Sequence, residues 1–314
     1  MRYYFAPMEG LTDSIYRQLH HTYFPGITQY YTPFFSPTVH RRLTPKERRE
    51  LPPADSLGFC TVPQILTKNA GDFLWMAQQC KDLGYTEVNL NLGCPSGTVT
   101  AKGKGSGMLL DLDGLDLFLS QIFHETPVAI SVKTRLGFHS AEEFPRILEI
   151  FNRYPIKELT VHPRVRNAFY KGDVDMDAFT YAVNNSQAPV CFNGNINTRQ
   201  ATESICQSYP QVGAAMVGRG LIGDPGMFTA GGTTVAALEL FYDSLLDAYT
   251  DAFGGPRNAM FRLKENWRYL SCRFEGSEKL YKRLRKTTEL SEYKAITREI
   301  FQTLPLGKTL APDW

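Results

Sequence analysis

Asn89-Leu90-Asn91-Leu92-Gly93-Cys94-Pro95-Ser96 alternates polar and apolar residues and then ends on a glycine, a thiol and a proline. The alternation predicts a β-strand, and Gly93 with Pro95 predicts that the strand stops before Cys94. An isolated cysteine is more often a core residue than a reactive one. The two asparagines favour a reactive position here, because amide groups at a strand end are costly to bury without partners.

Seven other segments share one feature with the segment before Cys94. Each is a short, largely apolar stretch that ends on polar or glycine residues. The eight segments are 3–8, 27–34, 61–66, 87–93, 129–136, 158–164, 189–195 and 214–220. Helical periodicity lies between most of them, and strands that alternate with helices predict parallel βαβ units. Eight such repeats predict a closed (β/α)8 TIM barrel of the α/β class. Residues 32–53, which are rich in Pro, Arg and Ser, are predicted to form an irregular loop over the barrel mouth.

The pattern changes after residue 228. Residues 229–234 have the composition of a linker, and only helical periodicity follows from Val235 onward. We therefore predict two domains, a catalytic barrel over residues 1–234 and a small all-α helical bundle over residues 235–314.

The C-terminal region is strongly basic, although the whole chain carries a formal net charge of only +2. Between Arg257 and Arg298 there are twelve Lys or Arg residues against five Glu, so the rest of the chain is mildly acidic. A basic domain beside a mildly acidic one is the electrostatic pattern of a nucleic-acid-binding module attached to a catalytic body. The alternative is a solvated face of surface helices with no binding role.

Composition excludes several classes of protein. Hydrophobic residues make up 43% of the 314 residues, which is enough for a sizeable core. The six cysteines include no C-x-x-C pair and the six histidines show no metal-ligand spacing, so neither disulfides nor a zinc site are predicted. No apolar run reaches membrane-spanning length, and the N-terminus lacks the apolar stretch of a signal peptide. We expect a cytoplasmic monomer without metal or membrane attachment.

Barrel enzymes build their sites from residues at the carboxyl ends of the strands. Only Glu9 is acidic among those ends, which argues against paired-carboxylate hydrolysis and divalent-metal catalysis. The remaining amide, cationic and glycine ends suit a planar, carbonyl-rich, phosphorylated ligand. The residues at the predicted strand ends are Pro7, Met8, Glu9, Gln64, Asn91, Cys94, Lys133, Arg135, His162, Arg164, Asn193, Asn195, Gly218 and Arg219.

Two glycine-containing ends on the last predicted strands indicate a phosphate site. Gly218-Arg219-Gly220 combines close backbone approach with a guanidinium fork that matches phosphate oxygens. Asn193-Gly194-Asn195 ends the preceding strand. Lys133 and Gln64 carry donors suited to the electron-rich edge of an isoalloxazine ring. The alternative for Lys133 is a salt bridge at the strand end.

The glycine-rich run at residues 101–107 does not match a P-loop. Five residues separate Gly97 from Gly103, and Gly105 stands where Ser or Thr should follow Lys104. We interpret the run as a mobile loop beside Cys94 that a bulky substrate orders.

Taken in order, these motifs resemble those of the tRNA-dihydrouridine synthases, FMN-dependent oxidoreductases that reduce uridine in RNA. The resemblance covers nearly the whole chain and implies an FMN-binding barrel followed by a helical RNA-binding domain. The motifs that carry it are Ala6-Pro7-Met8-Glu9-Gly10 with Asp13, Gln64, Asn91 to Ser96 with Gly103-x-Gly105-x-Gly107, Ser131 to Gly137, His162-x-Arg164, Asn193 to Ile196 and Gly218-Arg219-Gly220.

The resemblance also implies a role for each matching residue. Cys94 is the proton donor, and Asn91, Arg135 and Arg164 bind the flipped uracil. NADPH or NADH reduces FMN, hydride passes to C6 of the uracil, and Cys94 protonates C5 from the opposite face. The substrate is tRNA, whose target uridine must leave its stack. The residues implied to bind FMN are Pro7, Met8, Glu9, Gln64, Lys133, His162, Asn193, Gly194, Asn195, Gly218 and Arg219.

Three residues depart from the family pattern. Asn89 replaces the usual Asp, Pro163 replaces the Gly after the histidine, and Asn195 replaces the common Asp or Glu. Two enzymatic alternatives stay open, a small-molecule FMN reductase of the dihydroorotate or dihydropyrimidine dehydrogenase type and a dihydrouridine synthase acting on another RNA. The basic helical region argues against the first. A third alternative is a non-catalytic RNA-binding protein on a decayed barrel, and intact Cys94, Lys133 and Arg219 argue against it.

Overall fold

The computed structural model describes residues 1–38 and 40–307, and within them nine parallel strands form one sheet. The strand order is β3-β2-β1-β9-β8-β7-β6-β5-β4, so the first and last strands of the order are consecutive in the chain and the barrel is nearly closed. The strands are β1 (Arg2–Phe5), β2 (Gln29–Tyr31), β3 (Thr61–Val62), β4 (Gln64–Ile65), β5 (Glu87–Leu92), β6 (Ala129–Arg135), β7 (Leu159–His162), β8 (Val190–Asn193) and β9 (Ala214–Val217).

A proline divides the third predicted strand into β3 and β4. Pro63 has no backbone N–H and cannot donate to a ladder, although its carbonyl accepts from Asn89 N at 2.8 Å. β3 therefore pairs with β2, and β4 pairs with β5. Each of the eight predicted segments contains a strand, and the prediction of a (β/α)8 barrel followed by helices is confirmed.

Helices follow most strands and then continue alone to the end of the described chain. The prediction of an irregular loop at 32–53 is wrong in part, because α2 begins there with a capping box between Thr44 and Glu47. The predicted helical start at Val235 is confirmed, with Thr234 as the N-cap of α10. The helices are α1 (Ser14–Tyr23), α2 (Pro45–Glu50), α3 (Ala70–Asp82), α4 (Gly97–Thr100), α5 (Leu112–Glu125), α6 (Phe144–Phe151), α7 (Met176–Asn185), α8 (Arg199–Ser208), α9 (Arg219–Gly223), α10 (Val235–Phe253), α11 (Pro256–Leu270), α12 (Glu278–Lys286) and α13 (Leu290–Thr303).

Buried side chains from β1, β2, β3, β8 and β9 form an apolar cluster. The rings of Tyr4 and Tyr31 pack in it with their centroids 5.9 Å apart, next to Cys191 and Met216. The Tyr4 hydroxyl donates to Glu158 Oε2 at 3.1 Å, so its one polar atom is satisfied. Cys191 is therefore a core residue, unlike the half-buried Cys94.

The chain divides into two compact units. The first contains Met1–Glu9, Thr28–Asn195 and Ser204–Met216, and it holds nearly all of the barrel strands. The second contains Gly10–Ile27, Ile196–Glu203 and the chain from Val217 onward. The domain division at residue 234 stays a prediction.

Asp13 organises the second unit. It caps α1 by accepting from Tyr16 N at 3.0 Å, and it accepts from Arg262 Nη2 at 2.7 Å and from the Tyr249 hydroxyl at 3.0 Å. Burial raises the pKa of Tyr249 well above its ordinary value, and the Asp13 charge adds to this effect. An aspartate from one of the sequence motifs therefore joins α1 to α10 and α11.

No helix among the described residues is long and apolar enough to cross a membrane. Across residues 1–38 and 40–307, no group of three or more His, Cys, Asp or Glu side chains is arranged to hold a metal ion. All six cysteines are free thiols.

Candidate active site

A chain of side-chain amides holds the turn that carries Cys94. Asn91 Oδ1 accepts hydrogen bonds from the backbone N–H groups of Gly93, at 3.1 Å, and Cys94, at 2.9 Å. Since a backbone N–H can only donate, these two bonds fix the orientation of the Asn91 amide. Its Nδ2 group then donates to Gln64 Oε1 at 2.7 Å.

The amide chain continues from Gln64 into the neighbouring strands. Gln64 Nε2 donates to Asn89 Oδ1 at 2.8 Å, and Asn89 Nδ2 donates to Ser131 Oγ at 3.0 Å. The sheet register sets these residues side by side, with Gln64 opposite Asn89 and Asn89 opposite Ser131. Asn89 uses both a donor and an acceptor here, whereas an ionised Asp would offer acceptors only. The departure from the family pattern at residue 89 therefore fits a fully neutral chain beneath Cys94.

The glycine-rich run packs directly on Cys94. Ser106 Oγ donates to the Cys94 carbonyl at 2.8 Å. Gly105 has φ +58°, and a Cβ atom on it would lie 3.0 Å from both Cβ and O of Cys94. Residues Gly105–Leu110 form a 3-10 turn whose first five residues are buried. The glycines permit this close packing on Cys94, and the ordering of the loop by a bulky substrate stays a prediction.

The Cys94 thiol is half-buried and favours its protonated form. Burial raises its pKa, and the charge of Glu9 adds to this effect. The Ser96 N–H and the cations of Arg135 and Lys133 act in the opposite direction without outweighing the loss of solvation. A protonated thiol suits proton donation, so the site favours general-acid chemistry over attack by a thiolate.

Lys133 is a half-buried cation on β6. Across residues 1–38 and 40–307 its ammonium group forms neither a hydrogen bond nor an ion pair with a carboxylate, so the salt-bridge alternative finds no partner there. Loss of solvation, with repulsion from Arg135, lowers the pKa of Lys133 to about 8. Burying a cation without an anionic partner costs folding free energy. A ligand with an anionic or electron-rich group near Lys133 would offset that cost.

Arg135 braces the Cys94 turn from β6. Its Nε donates to Gly93 O at 2.9 Å, and its Nη1 donates to Val165 O at 3.1 Å. Its guanidinium carbon also lies 5.4 Å from the centre of the Tyr170 ring. Burial lowers the pKa of Arg135 to about 10, so the side chain keeps its charge at neutral pH. The fold thus fixes a positive charge beside the thiol.

Arg164 sets the tautomer of His162 at the end of β7. Arg164 Nη1 lies 3.0 Å from His162 Nε2, and a guanidinium only donates, so Nε2 is the acceptor. The ring proton then lies on Nδ1. Arg164 is buried, and its Nη2 donates to the carbonyl of Gly172.

The end of β8 is shaped by unusual backbone angles. Asn193 Nδ2 donates to the carbonyl of the β9 residue Met216 at 2.7 Å. Gly194 has φ +146°, and a Cβ atom on it would lie 3.3 Å from His162 Cδ2. Asn195 has φ +47°, in the left-handed region that asparagine tolerates better than most residues. This conformation favours Asn over Glu at this position, and it does not distinguish Asn from Asp.

The remaining predicted site residues follow β1 and β9. Pro7 and Met8 are half-buried, whereas Glu9 is exposed and its carboxylate lies 3.6 Å from the ammonium of a lysine in α2. Gly218 and Arg219 come directly after β9 in the chain and belong to the second unit. Both are half-buried, and Arg219 is the first residue of α9.

A family model described as Dihydrouridine synthase (Dus) matches residues 4–243. The chain belongs to the dihydrouridine synthase family. The match begins within β1, covers the other eight strands and ends within α10, so the resemblance inferred from the motifs is confirmed. This member of the dihydrouridine synthase family is an oxidoreductase, which removes the alternative of a non-catalytic protein on a decayed barrel.

Several named dihydrouridine synthases are similar to this one over most of their length. tRNA-dihydrouridine synthase B of Proteus vulgaris is 30% identical over 224 residues, which are 71% of this chain and 68% of that protein. tRNA-dihydrouridine(16) synthase of Shigella flexneri is 29% identical over 241 residues, which are 72% of this chain and 74% of that protein.

Solved structures at low sequence identity share the fold. A morphinone reductase variant in complex with tetrahydroNAD superposes with a TM-score of 0.52 at 9% identity, over 72% of this chain and 85% of that one. A variant of NCR from Zymomonas mobilis gives a TM-score of 0.50 at 12% identity, over 71% of this chain and 83% of that one. These similarities support the barrel architecture of the dihydrouridine synthase.

Hydrogen bonds or electrostatic contacts join five of the predicted site residues into one cluster. His162 and Arg164 form a separate pair. Sequence reasoning left two further members, Asn89 and Ser131, out of the predicted site residues. Their spacing could have revealed them, because residues two apart on a strand point to the same face of the sheet. Asn89 lies two residues before Asn91, and Ser131 lies two residues before Lys133. The five residues of the cluster are Gln64, Asn91, Cys94, Lys133 and Arg135.

Proposed function

We propose that this chain reduces the C5=C6 bond of specific uridines in tRNA to 5,6-dihydrouridine, with FMN as cofactor and NADPH or NADH as reductant. Cys94 is the proposed proton donor. The observation that carries the proposal is the thiol whose pKa is raised, held at the end of β5 by Asn91 and Arg135. The names of the relatives, which are tRNA-dihydrouridine synthases, support tRNA as the substrate.

The side chains present fit FMN. Lys133 offers a cation that has no carboxylate partner among the described residues. Gln64 is buried in the same cluster, where each of its amide atoms already makes one hydrogen bond and keeps the capacity for a second. The guanidinium fork of Arg219 matches the oxygens of a phosphate group. The residues we assign to FMN are Pro7, Met8, Glu9, Gln64, Lys133, His162, Asn193, Gly194, Asn195, Gly218 and Arg219.

The proposed mechanism divides the reduction into a hydride and a proton. When bound, reduced FMN supplies the hydride that C6 of the uracil receives. The Sγ–H bond of Cys94 breaks as its proton passes to C5, which saturates the bond and leaves a thiolate. The charges of Arg135 and Lys133 stabilise that thiolate until a solvent proton restores the thiol.

The substrate side of the site is assigned to Asn91, Arg135 and Arg164. Asn91 and Arg135 both contact the backbone of the Cys94 turn, so a uracil placed for protonation by Cys94 is next to them. Arg164 acts through His162, whose ring proton it keeps on Nδ1. These residues orient the base and the proton donor relative to each other, which is a large part of what a preorganised site contributes.

The decisive experiment is product formation with a defined RNA. The purified protein, loaded with FMN and given NADPH, is expected to convert uridine to dihydrouridine in a tRNA transcript, which mass spectrometry detects as the gain of two hydrogens. Orotate, free uracil and a ribosomal RNA fragment are offered in parallel. Reduction of the free pyrimidines without reduction of tRNA would favour the small-molecule alternative, and reduction of the ribosomal fragment alone would favour another RNA.

The titration of Lys133 predicts how FMN affinity depends on pH. The pKa of Lys133 is about 8, so the side chain is charged below that pH and loses its charge above it. If FMN binds the charged form of Lys133 in preference to the neutral form, its affinity should fall by up to about tenfold per pH unit above about pH 8. We expect this decline when the apoprotein is titrated with FMN between neutral and moderately alkaline pH and the quenching of flavin fluorescence is followed.

The Lys133→Met variant is the control for this titration. It removes the titrating group, so its weaker FMN affinity should be flat over the same pH range. A parent protein that binds FMN equally well on both sides of pH 8 would contradict the assignment of Lys133 to the flavin.

The basic helix α12 predicts a salt-dependent contribution to RNA binding. Lys282, Arg283, Arg285 and Lys286 are all exposed around one buried leucine. Arg283 pairs with Glu299 at 3.5 Å, and this exposed pair contributes little. Reversing all four to Glu should flatten the log–log dependence of RNA affinity on salt by about 0.7 to 0.9 per lost phosphate contact. Fluorescence anisotropy with labelled tRNA measures the slope.

The same four positions changed to Gln serve as the graded control, since they lose the charge without adding repulsion. The Gln variant should fall between the parent and the Glu variant in affinity. RNA affinity that does not depend on salt, or a Glu variant that binds tRNA as well as the parent, would show that α12 is only a solvated face.

A further inference from the structure

Three lysines meet at the rim of the barrel beside Cys94. Lys68 follows β4, and Lys102 and Lys104 flank Gly103 in the segment after β5. The ammonium nitrogen of Lys68 lies 3.4 Å from the point where a Cβ atom on Gly103 would be. We call these three residues the lysine rim. Lys68 comes from a different loop than Lys102 and Lys104, so the barrel topology brings it to the other two.

The lysine rim has little acidic compensation. Lys68 and Lys102 are exposed, and in the described part of the chain their ammonium groups form no hydrogen bond and no ion pair. Lys104 is half-buried and donates to Ser36 Oγ at 3.0 Å. Asp72 is the nearby carboxylate, and Arg41 already pairs with it at 3.4 Å. The rim therefore presents a net positive charge to solvent.

Repulsion within the rim is visible at Lys104. Burial lowers the pKa of Lys104, and the charges of Lys102 and Lys68 lower it further against the opposing effect of Asp72. Like charges this close destabilise the free protein slightly. A bound polyanion would convert that repulsion into attraction.

The rim is physically joined to the residue that reacts. Lys104 immediately precedes Gly105, which packs on Cys94, and Ser106 donates to the Cys94 carbonyl at 2.8 Å. A ligand held by the rim is therefore held by the same packed segment that positions the thiol. A P-loop nucleotide site is excluded there by the spacing of Gly97, Gly103 and Gly105.

We propose that the lysine rim binds the RNA phosphates that flank the uridine presented to Cys94. This rests on the proposed function, because a nucleotide that leaves its stack to reach a barrel mouth carries its flanking phosphates to the rim of that mouth. Lysine ammonium groups suit this role, since they act as mobile point charges on phosphate without reading sequence. The rim thus supplies a grip on the barrel itself, separate from the basic helix α12.

Charge reversal at the two exposed lysines tests the proposal. Lys68→Glu, Lys102→Glu and the double variant are compared with the parent for binding of labelled tRNA across a salt series. Each lost contact should flatten the log–log slope by about 0.7 to 0.9, which corresponds to about a fivefold loss of affinity at 0.1 M salt. Thermal unfolding verifies that each variant is folded, which we expect because both side chains are exposed.

Lys81→Glu is the matched control. Lys81 is exposed near the carboxyl end of α3, about 16 Å along the helix from the end that follows Lys68. The Lys81→Glu substitution makes the same change in net charge away from the rim. The slope of its tRNA affinity against salt should therefore equal that of the parent. If Lys68→Glu and Lys102→Glu change the slope no more than Lys81→Glu does, the rim proposal is overturned.

The binding readout separates this proposal from the proposed function. A parent that binds tRNA with a slope that the rim variants flatten, yet forms no dihydrouridine, would overturn the function and show that the rim binds RNA phosphates without presenting a uridine to Cys94. A parent that forms dihydrouridine while the rim variants bind as it does would overturn the rim and support the function. Competition by inorganic phosphate as strong as competition by unlabelled RNA would also overturn the rim proposal, because it would indicate a site for a single anion.

Discussion

Cys94→Ala is expected to lower the rate of dihydrouridine formation by about 10²–10⁴-fold, the usual contribution of a general acid. The alanine leaves the amide chain of Asn91 and Gln64 in place, because that chain binds the backbone N–H of residue 94 and not the thiol. FMN content should therefore stay near that of the parent. Single-turnover reduction of a tRNA transcript, with flavin absorbance read on the same sample, measures both quantities.

Cys60→Ala is the control for this substitution. Cys60 is an exposed free thiol directly before β3. Its thiol contacts Gln29 and none of the predicted site residues. Its loss should leave both the rate and the flavin content unchanged. A Cys94→Ala protein that turns over at the parental rate would remove Cys94 from the role of proton donor.

Arg219→Ala is expected to weaken FMN binding by about 10²–10⁴-fold. Each hydrogen bond to a charged group contributes roughly 1.5–3 kcal/mol, and a guanidinium fork offers two to one phosphate. The purified variant should be nearly colourless at concentrations where the parent is yellow. Equilibrium titration of the apoprotein with FMN gives the change in Kd.

Arg199→Ala is the matched loss of one positive charge. Arg199 begins α8, is exposed, and pairs with Glu203 at 3.2 Å, so its removal should not affect FMN. Arg219→Lys keeps the charge but loses the fork, and it should fall between the parent and the alanine variant. Stoichiometric FMN in purified Arg219→Ala would place the phosphate contact at another residue.

The positions of the strands were readable from the sequence, whereas the reactive role of the strand end at Cys94 stays a prediction. Parallel strands that are buried on both faces must be apolar, and a strand that ends at a catalytic mouth must end on polar or glycine residues. The segment around Cys94 shows the second feature, whereas β5 itself alternates buried polar and apolar residues. The helix α2 was also readable, since Thr44 and Glu47 have the spacing of a capping box, but the prolines around it favoured an irregular loop.

Other features needed the sheet register. Pro63 splits a strand because neighbouring strands require its missing N–H, which no local pattern reveals. The amide chain joins Gln64, Asn89 and Ser131 across 25 and 42 residues of sequence. Which amide atom donates follows only from the backbone N–H of Cys94 at the end of that chain. Hydrogen bonds between strands depend on which residues the register sets side by side, and a shift by one residue would turn each side chain to the other face.

The sequence alone therefore determined the barrel, the helical region that follows it and the chemistry of the strand ends, because periodicity and residue type are local properties of the chain. The tertiary structure decided what holds Cys94, which nitrogen of His162 carries the proton, and that Lys68 meets Lys102 and Lys104 at one rim. These are contacts between residues that are distant in sequence or that belong to different loops. Their energies depend on distance and burial, which exist only once the barrel has closed.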